Sequence, residues 1–515
     1  MSASASKKKR KELDEQGLSP RAIAEQKAKE QKQKLLRNIL IVVLSVAVAL
    51  GAIFAVIALV NRPTPPSYDT KAAVATVGEE TITVPVYDIF YNTNATQLYN
   101  YGYSYFIQTG TPISQQSNVF GEGTMEDFFK ENTANAIQTV YNYYIQAKQA
   151  GFQLDADQKK AIDDEIDAIK TAASNYGYSN VNKFLGLYYG EGVDLDAYKT
   201  YLEVSAYYSG YYAKLQEEFA PTAEELQAAY DKDPGAFDLV SFTYKSTSAE
   251  STTVPAADSE PADGTEDSEA DTTAPTTTVY TDAAKADAKE KAEGYVTEMP
   301  EDASTVNYNK TNVTSYFNEE IANWLFDAER KEGDAKVFTM NEDETSYYTV
   351  RFDGRDTNEY CRVNANILTI TKDKEDAELK EGEQTSKEKF DALVAAAQAG
   401  MTDEAFNEAV TALGYTVNNS SITHTYSIEE IRTWLYDASR KAGDVLTSYE
   451  TDTTYYVVRY VSTDDVTYRD SLVKDSLWSE KTEAIAALNE IKFVDDMMQY
   501  ANTDLTFNDT SSSES

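Results

Sequence analysis

Apolar residues between positions 125 and 150 recur at mixed three- and four-residue steps: Phe128, Ala136, Val140, Tyr143, Tyr144 and Ala147. That period predicts an amphipathic helix. A second follows over 154–173 with Asp155 as N-cap, and a third over 195–219 carries Tyr198, Leu202, Ala206, Tyr208 and Leu215. Thr222 and Glu225 form a capping-box pattern that opens a short helix. Ahead of these, residues 74–91 read as two short strands around a tight turn and then a helix start. Residues 237–244 alternate in strand fashion, and helical pattern resumes over 282–298. A strand is predicted at 362–370, helices at 387–399 and 403–413 (ended by Gly414), and a long closing helix at 467–500. Leu472, Leu477, Ala484, Leu488, Ile491, Val494 and Met498 give that last helix an apolar face that needs a partner surface.

Two stretches break the pattern. Residues 39–60 are apolar throughout, and 22 residues at 1.5 Å each span roughly 33 Å, enough for a bilayer core. The preceding 38 residues hold 11 Lys/Arg against 5 Asp/Glu, which places that flank on the cytoplasmic side and the bulk of the chain outside. A cleaved signal peptide is the competing reading, but its apolar region is normally shorter. Residues 61–71 form a Pro-rich linker. Residues 246–278 have eight acidic residues, no Lys or Arg and no periodicity, and read as a disordered surface insertion. A weak calcium site there is the sharper alternative, without an EF-hand pattern.

The strongest internal signal is a repeat. EIANWLFDAERKEGD at 320–334 and EIRTWLYDASRKAGD at 430–444 agree at ten of fifteen positions, and each runs on to a β-rich stretch, SYYTVRF at 346–352 and TYYVVRY at 454–460. A spacing of about 110 residues suits a duplicated small domain. Composition narrows the function. The net charge of −40 disfavours nucleic acid as a partner. A single cysteine, Cys361, allows no intrachain disulfide, and one histidine, His424, cannot by itself build a metal site. No phosphate-binding loop, nucleophile elbow or dinucleotide fingerprint occurs. The 38 tyrosines, many between Tyr99 and Tyr212, suit adaptable contact with unfolded peptides or, more plainly, helix packing.

The opening VATVGEETITVPVYDIFY, the segment PTAEELQAAYDKDPGAF at 221–237 and the repeat order together resemble SurA- and PrsA-type foldases, extracytoplasmic chaperones that carry parvulin prolyl-isomerase domains. The resemblance covers roughly 72–505. It implies an α+β chain: a cytoplasmic basic tail (1–38), a transmembrane helix (39–60), a SurA-N-like all-helical chaperone domain (72–235), two parvulin-like domains (236–358 and 359–463), a C-terminal helix (464–507) packing back on the helical domain, and a disordered tail (508–515). Active parvulins carry two histidines on their signature strands. Here those positions are Asn366 and Tyr456 in the second repeat, and Ser241 and Tyr348 in the first. Catalysis is therefore doubtful. Apolar cups formed by Ile321, Trp324, Phe326 and Tyr348, or by Ile431, Trp434, Tyr436 and Tyr456, are candidates for gripping peptide; the plain alternative is that they are core. The expected partners are unfolded exported polypeptides and the membrane, with no cofactor and no metal. An active prolyl isomerase and a surface protein with one fixed partner are the alternatives.

Overall fold

The computed structural model describes residues 68–255, 276–372, 384–398, 400–494 and 496–508. The described residues divide into two compact units, those up to Ala220 together with those from Trp478, and those within Pro221–Leu477.

The first unit opens with β1 (Ala73–Val77) and β2 (Glu80–Thr83), joined through Gly78 at φ 57°. Five helices follow: α1 (Val84–Asn100), α2 (Met125–Gln149), α3 (Ala156–Asn175), α4 (Val181–Tyr189) and α5 (Leu195–Glu218). Reciprocal capping boxes start α2 (Thr124 with Asp127) and α3 (Asp155 with Gln158), satisfying backbone N–H groups that the first helical turn leaves free. One core runs through β1, α1, α2 and α5, and tyrosines form much of it: Tyr87, Tyr91, Tyr141, Tyr189 and Tyr198 are all buried.

The second unit contains α6 (Ala223–Lys232) and two related α+β domains. The first has β3 (Leu239–Ser248), a two-stranded ribbon β4 (Ser251–Pro255) and β5 (Thr276–Tyr280), α7 (Asp282–Thr297), β6 (Ser304–Tyr308), α8 (Lys310–Tyr316), α9 (Glu319–Leu325), β7 (Ala335–Thr339) and β8 (Ser346–Asp356). The second has β9 (Val363–Thr371), α10 (Ser386–Ala396), α11 (Asp403–Ala412), β10 (Asn419–Ile422), α12 (Glu429–Leu435), β11 (Val445–Glu450) and β12 (Thr454–Thr463). Their antiparallel sheets have matching orders, β6-β3-β8-β7 and β10-β9-β12-β11. In each, the domain's first and last strands pair at the centre, with helices on both faces. The chain then enters α13 (Tyr468–Ala486), and β13 (Ile491–Phe493) pairs antiparallel with β1 in the first unit.

This architecture corrects the expected fold class. Among the described residues no helix is long and apolar enough to cross a membrane; residues 39–60 lie outside them. The first unit is not all-helical, since β13-β1-β2 forms a sheet against its helices. The helix expected over 467–500 ends at Ala486. Ile491 had suggested helical spacing, but it packs on the first unit's core from a strand, because the open edge of β1 offers unpaired backbone groups. Leu488, expected to be in contact, is 52% exposed. The segment 246–278 is also not loop throughout. Ser246–Ser248 belong to β3, while Ser251–Pro255 and Thr276–Tyr280 pair as a ribbon. Runs of Thr and Val make strands there despite a loop-like composition. Residues 256–275, and the tail from 509, lie outside the described part of the chain.

Candidate functional site

The repeated segment is a structural staple. Ile321 and Leu325 on α9, and Ile431 and Leu435 on α12, are buried in their own domains. Trp324 and Trp434 are half-buried, and each lies under an arginine six residues on: Arg330 at 4.4 Å and Arg440 at 4.8 Å from the ring centroid. Arg330 pairs with Asp327 and Asp334, and Arg440 with Asp437 and Asp444. Gly333 (φ 89°) and Gly443 (φ 93°) then turn the chain. Gly333 N–H donates to Phe352 O, while Phe352 N–H donates back to Asp334 O, both at 2.8 Å. The second copy repeats this between Gly443, Tyr460 and Asp444 at 3.0 and 2.9 Å. Trp, Asp, Arg, Gly and Asp thus recur because together they bind the turn to the last strand.

The cup side chains pack against the cores of their own domains, with Ile321 and Ile431 buried and the six aromatic residues half-buried. Ile321, Trp324, Phe326 and Tyr348 fall in one cluster, where Tyr348 meets Tyr244 (5.6 Å) and Phe317 (5.4 Å). Ile431, Trp434, Tyr436 and Tyr456 fall in another, with Tyr456 against Tyr449 at 5.4 Å. These side chains are brought together as core.

The histidine-equivalent positions need one correction. Arg459 on β12 pairs in register with Asn366 on β9; its counterpart Arg351 on β8 pairs with Thr243, not Ser241. Both domains carry the same irregularity one pair further on, Ser241 against Gly354 and Asn364 against Ser462, so Ser241 is the counterpart of Asn364 and Thr243 that of Asn366. Polar networks fill both positions. Asn366 donates to Asn419 Oδ1 (2.6 Å), and Arg459, also buried, donates through Nη1 to Asn366 Oδ1 (3.4 Å) and pairs with Asp403 (2.8 Å). In the first domain Thr243 donates to Asp353 (2.6 Å) and accepts from Arg351 (3.2 Å).

An open apolar surface exists instead on the first unit, between α1 and α2. Tyr101 (77% exposed), Tyr105 (94%), Phe106 (51%), Val119 and Phe120 all face solvent. Four rings form a continuous cluster: Phe106–Phe120 at 4.9 Å, Tyr103–Phe120 at 5.2 Å, Phe120–Phe128 at 5.0 Å and Tyr103–Phe128 at 5.5 Å. The backbone beneath them is pinned. The buried Gln116 amide donates to the carbonyls of Gln108 and Thr111 and accepts from Gln108 N–H. Gly110 and Ile113 N–H donate to Phe507 O and Leu505 O. Tyr101, Tyr103 and Tyr105 were visible in sequence as part of a tyrosine-rich region. Phe106 and Phe120 were missed, although both sit in Gly- and Asn-rich stretches with no period to bury them.

The sole histidine is not an isolated loop residue. In the second unit, His424 Nδ1 lies 3.1 Å from Asp356 Oδ2 at the end of β8. Its ring stacks on Tyr360 with centroids 3.4 Å apart, and its N–H donates to Tyr360 Oη. Burial, with the Asp356 carboxylate adding, pushes the Tyr360 phenol up to about 12. Tyr436 sits edge-on to His424 and donates to Ile422 O (2.7 Å); burial, then Tyr360, raises its phenol above the ordinary range. Next to this cluster the two domains border an open cavity of about 530 Å³, walled by Leu239, Ser241, Asn307 and Gly354–Asp356 on one side and by His424–Ser427 and Arg432 on the other. Among the described residues no group of His, Cys, Asp and Glu could hold a metal ion.

No family model matches the chain, and comparison with curated proteins finds no match either.

Proposed function

We propose that this protein holds non-native polypeptides after export, as the resemblance to SurA- and PrsA-type foldases implies. The observation that carries the reading is the cluster Tyr103, Phe106, Phe120 and Phe128 with its exposed neighbours Tyr101 and Tyr105. Aromatic rings left in water cost free energy that only a partner recovers, and contiguous exposed apolar surface marks an interaction site. Rings with a wide apolar face accept many sequences with little loss of rotamer freedom. The pinned backbone holds them ready, so binding need not order the loop first. Prolyl isomerisation finds less support. The two strand positions that would shape a proline pocket are occupied by Arg459–Asn366 and Arg351–Thr243 networks.

The test is suppression of aggregation of a chemically unfolded protein by the whole chain. Phe106→Ser with Phe120→Ser should lower suppression at least several-fold while leaving the thermal midpoint within about 2 °C, because exposed substitutions move stability little. Unchanged suppression in that double variant would remove the proposed surface. No suppression by the parent chain would remove the function.

A further inference from the structure

The cavity between the two α+β domains of the second unit has a charge pattern that packing does not explain. That unit contains eight arginines. Six lie within 4 Å of a carboxylate: Arg330, Arg351, Arg362, Arg440, Arg459 and Arg469. The two with no carboxylate within 4 Å among the described residues, Arg355 and Arg432, are the two that line the cavity; Arg355 is also attracted by the buried Asp238 carboxylate beyond that distance. In a chain with 86 Asp and Glu against 46 Lys and Arg, an unpaired guanidinium is the unusual state, and two in one concavity are more so.

Their hydrogen bonds leave capacity. Arg432 donates from Nη1 to Tyr426 O, and Arg355 donates from Nη2 to Leu325 O and Asp327 O. These bonds fix where each planar fork sits and leave other N–H groups without a partner among the described residues. The single acidic residue in the wall does not neutralise them. Asp356 accepts Asn358 N–H at Oδ1 (2.8 Å) and meets His424 with Oδ2. Ser241, Asn307 and Ser427 are neutral polar residues of the same wall. The volume falls in the range of small-ligand sites.

The geometry points to a carboxylate-binding site in this cavity, with Arg432 and Arg355 as the anion's partners. A guanidinium binds a planar carboxylate through two parallel N–H···O bonds, which a chloride ion cannot match. The carboxylate could be a peptide's C-terminus, an acidic side chain or a free dicarboxylic acid; the chemistry is shared and the test separates the sources. This site does not depend on the polypeptide-holding surface, which lies on the other unit.

Calorimetric titration of the whole chain with four probes tests it: an acetylated trialanine with a free C-terminus, the same length with a central Glu and an amidated end, glutarate, and amidated acetyl-trialanine as the neutral control. At least one carboxylate probe should bind, with the neutral control at least tenfold weaker, and the probe that binds identifies the source. Arg432→Gln should weaken that binding at least tenfold and Arg432→Lys less, both with unchanged thermal midpoints. Arg355→Gln serves as a second variant should Arg432→Gln unfold. Phe106→Ser with Phe120→Ser should leave carboxylate binding intact, so failure here and failure of the holding function are distinguishable. Equal binding of charged and neutral probes, no binding of any, or full affinity in both arginine variants would overturn the proposal.

Discussion

Tyr143 and Tyr198 are as buried as any aliphatic side chain of the first unit, whereas Tyr105 keeps 94% of its surface in water. Composition could not separate these uses, since the same side chain serves as core and as contact surface. Periodicity partly could: Tyr198 and Tyr143 sit at helical spacing, while Tyr101, Tyr103 and Tyr105 follow a Gly-interrupted loop. Core tyrosines bring polar tips inside, and Tyr198 illustrates the consequence. Its hydroxyl donates to Glu165 at 3.2 Å, and burial raises the Glu165 carboxyl above its ordinary value, partly opposed by that hydrogen bond. A raised native value means that the folded state holds the proton more tightly than the unfolded state. The stability contribution is then complete below about 4.5, the ordinary value, and is lost as pH rises through the raised native one. Glu165→Gln keeps a carbonyl to accept from Tyr198 and cannot ionise. Its stability should be flat across that window where the parent's falls, and should exceed the parent's at pH 7, measured by urea unfolding at a series of pH values. Identical pH profiles would contradict this.

At the scale of elements, the repeat was legible as a repeat but not as a mechanism. Sequence showed Trp, Asp, Arg, Gly and Asp recurring; only the fold shows Arg330 and Arg440 covering the two indoles and the glycine turns bonded to β8 and β12. Both glycines have left-handed φ, which an added Cβ disfavours by about 1–2 kcal/mol. Gly443 carries a second constraint, because a Cβ there would come within 3.3 Å of Gly400 Cα and Met401 O, whereas nothing lies within 4 Å at Gly333. Gly443→Ala should therefore destabilise the protein more than Gly333→Ala in chemical unfolding, and equal losses would show that the crowding is relieved without effect. The pairing of Arg351 with Thr243 and the break of the closing helix at Ala486 were not legible. Hydrophobic alternation does not say which residue faces which across two strands, and a helical apolar pattern cannot reveal that a strand edge waits elsewhere in the chain.

Over the whole molecule, the chain's last segment completes its first unit. Asn142, fully buried on α2, donates to Ala486 O (2.8 Å) and Asn489 O (2.9 Å) and accepts from the Asn489 backbone N–H (3.1 Å). Gln138 binds Ile491 N–H at 3.0 Å, and Phe507 stacks on Tyr99 at 4.4 Å. Contacts separated by some 350 positions close the unit. Asn142→Ala would strand the Asn489 carbonyl and backbone N–H at about 1–3 kcal/mol each, softened where water can enter, while Ala486 O keeps the Gln138 amide at 3.2 Å. Scanning calorimetry should show a transition lowered by several degrees; an unchanged midpoint would mean that the return of the chain is not held there. The same return supplies the acceptors for Gly110 and Ile113 N–H beneath the exposed rings, so the binding surface depends on residues at the far end of the sequence.

By itself the sequence determined what local rules can write: most helices and their caps, the alternation of the central strands, the duplication, and the absence of histidine from the repeat strands. Tertiary structure decided the rest. It set the repeated tryptophans half-buried under arginines, placed Thr243 opposite Arg351, turned a helical pattern into β13, left Phe106 and Phe120 in water, and brought Arg355 and Arg432 to one cavity. The physical reason is range. Propensity, capping and period act over a few residues, whereas burial, strand pairing and the partner of a charge are settled by groups that only the folded chain brings together.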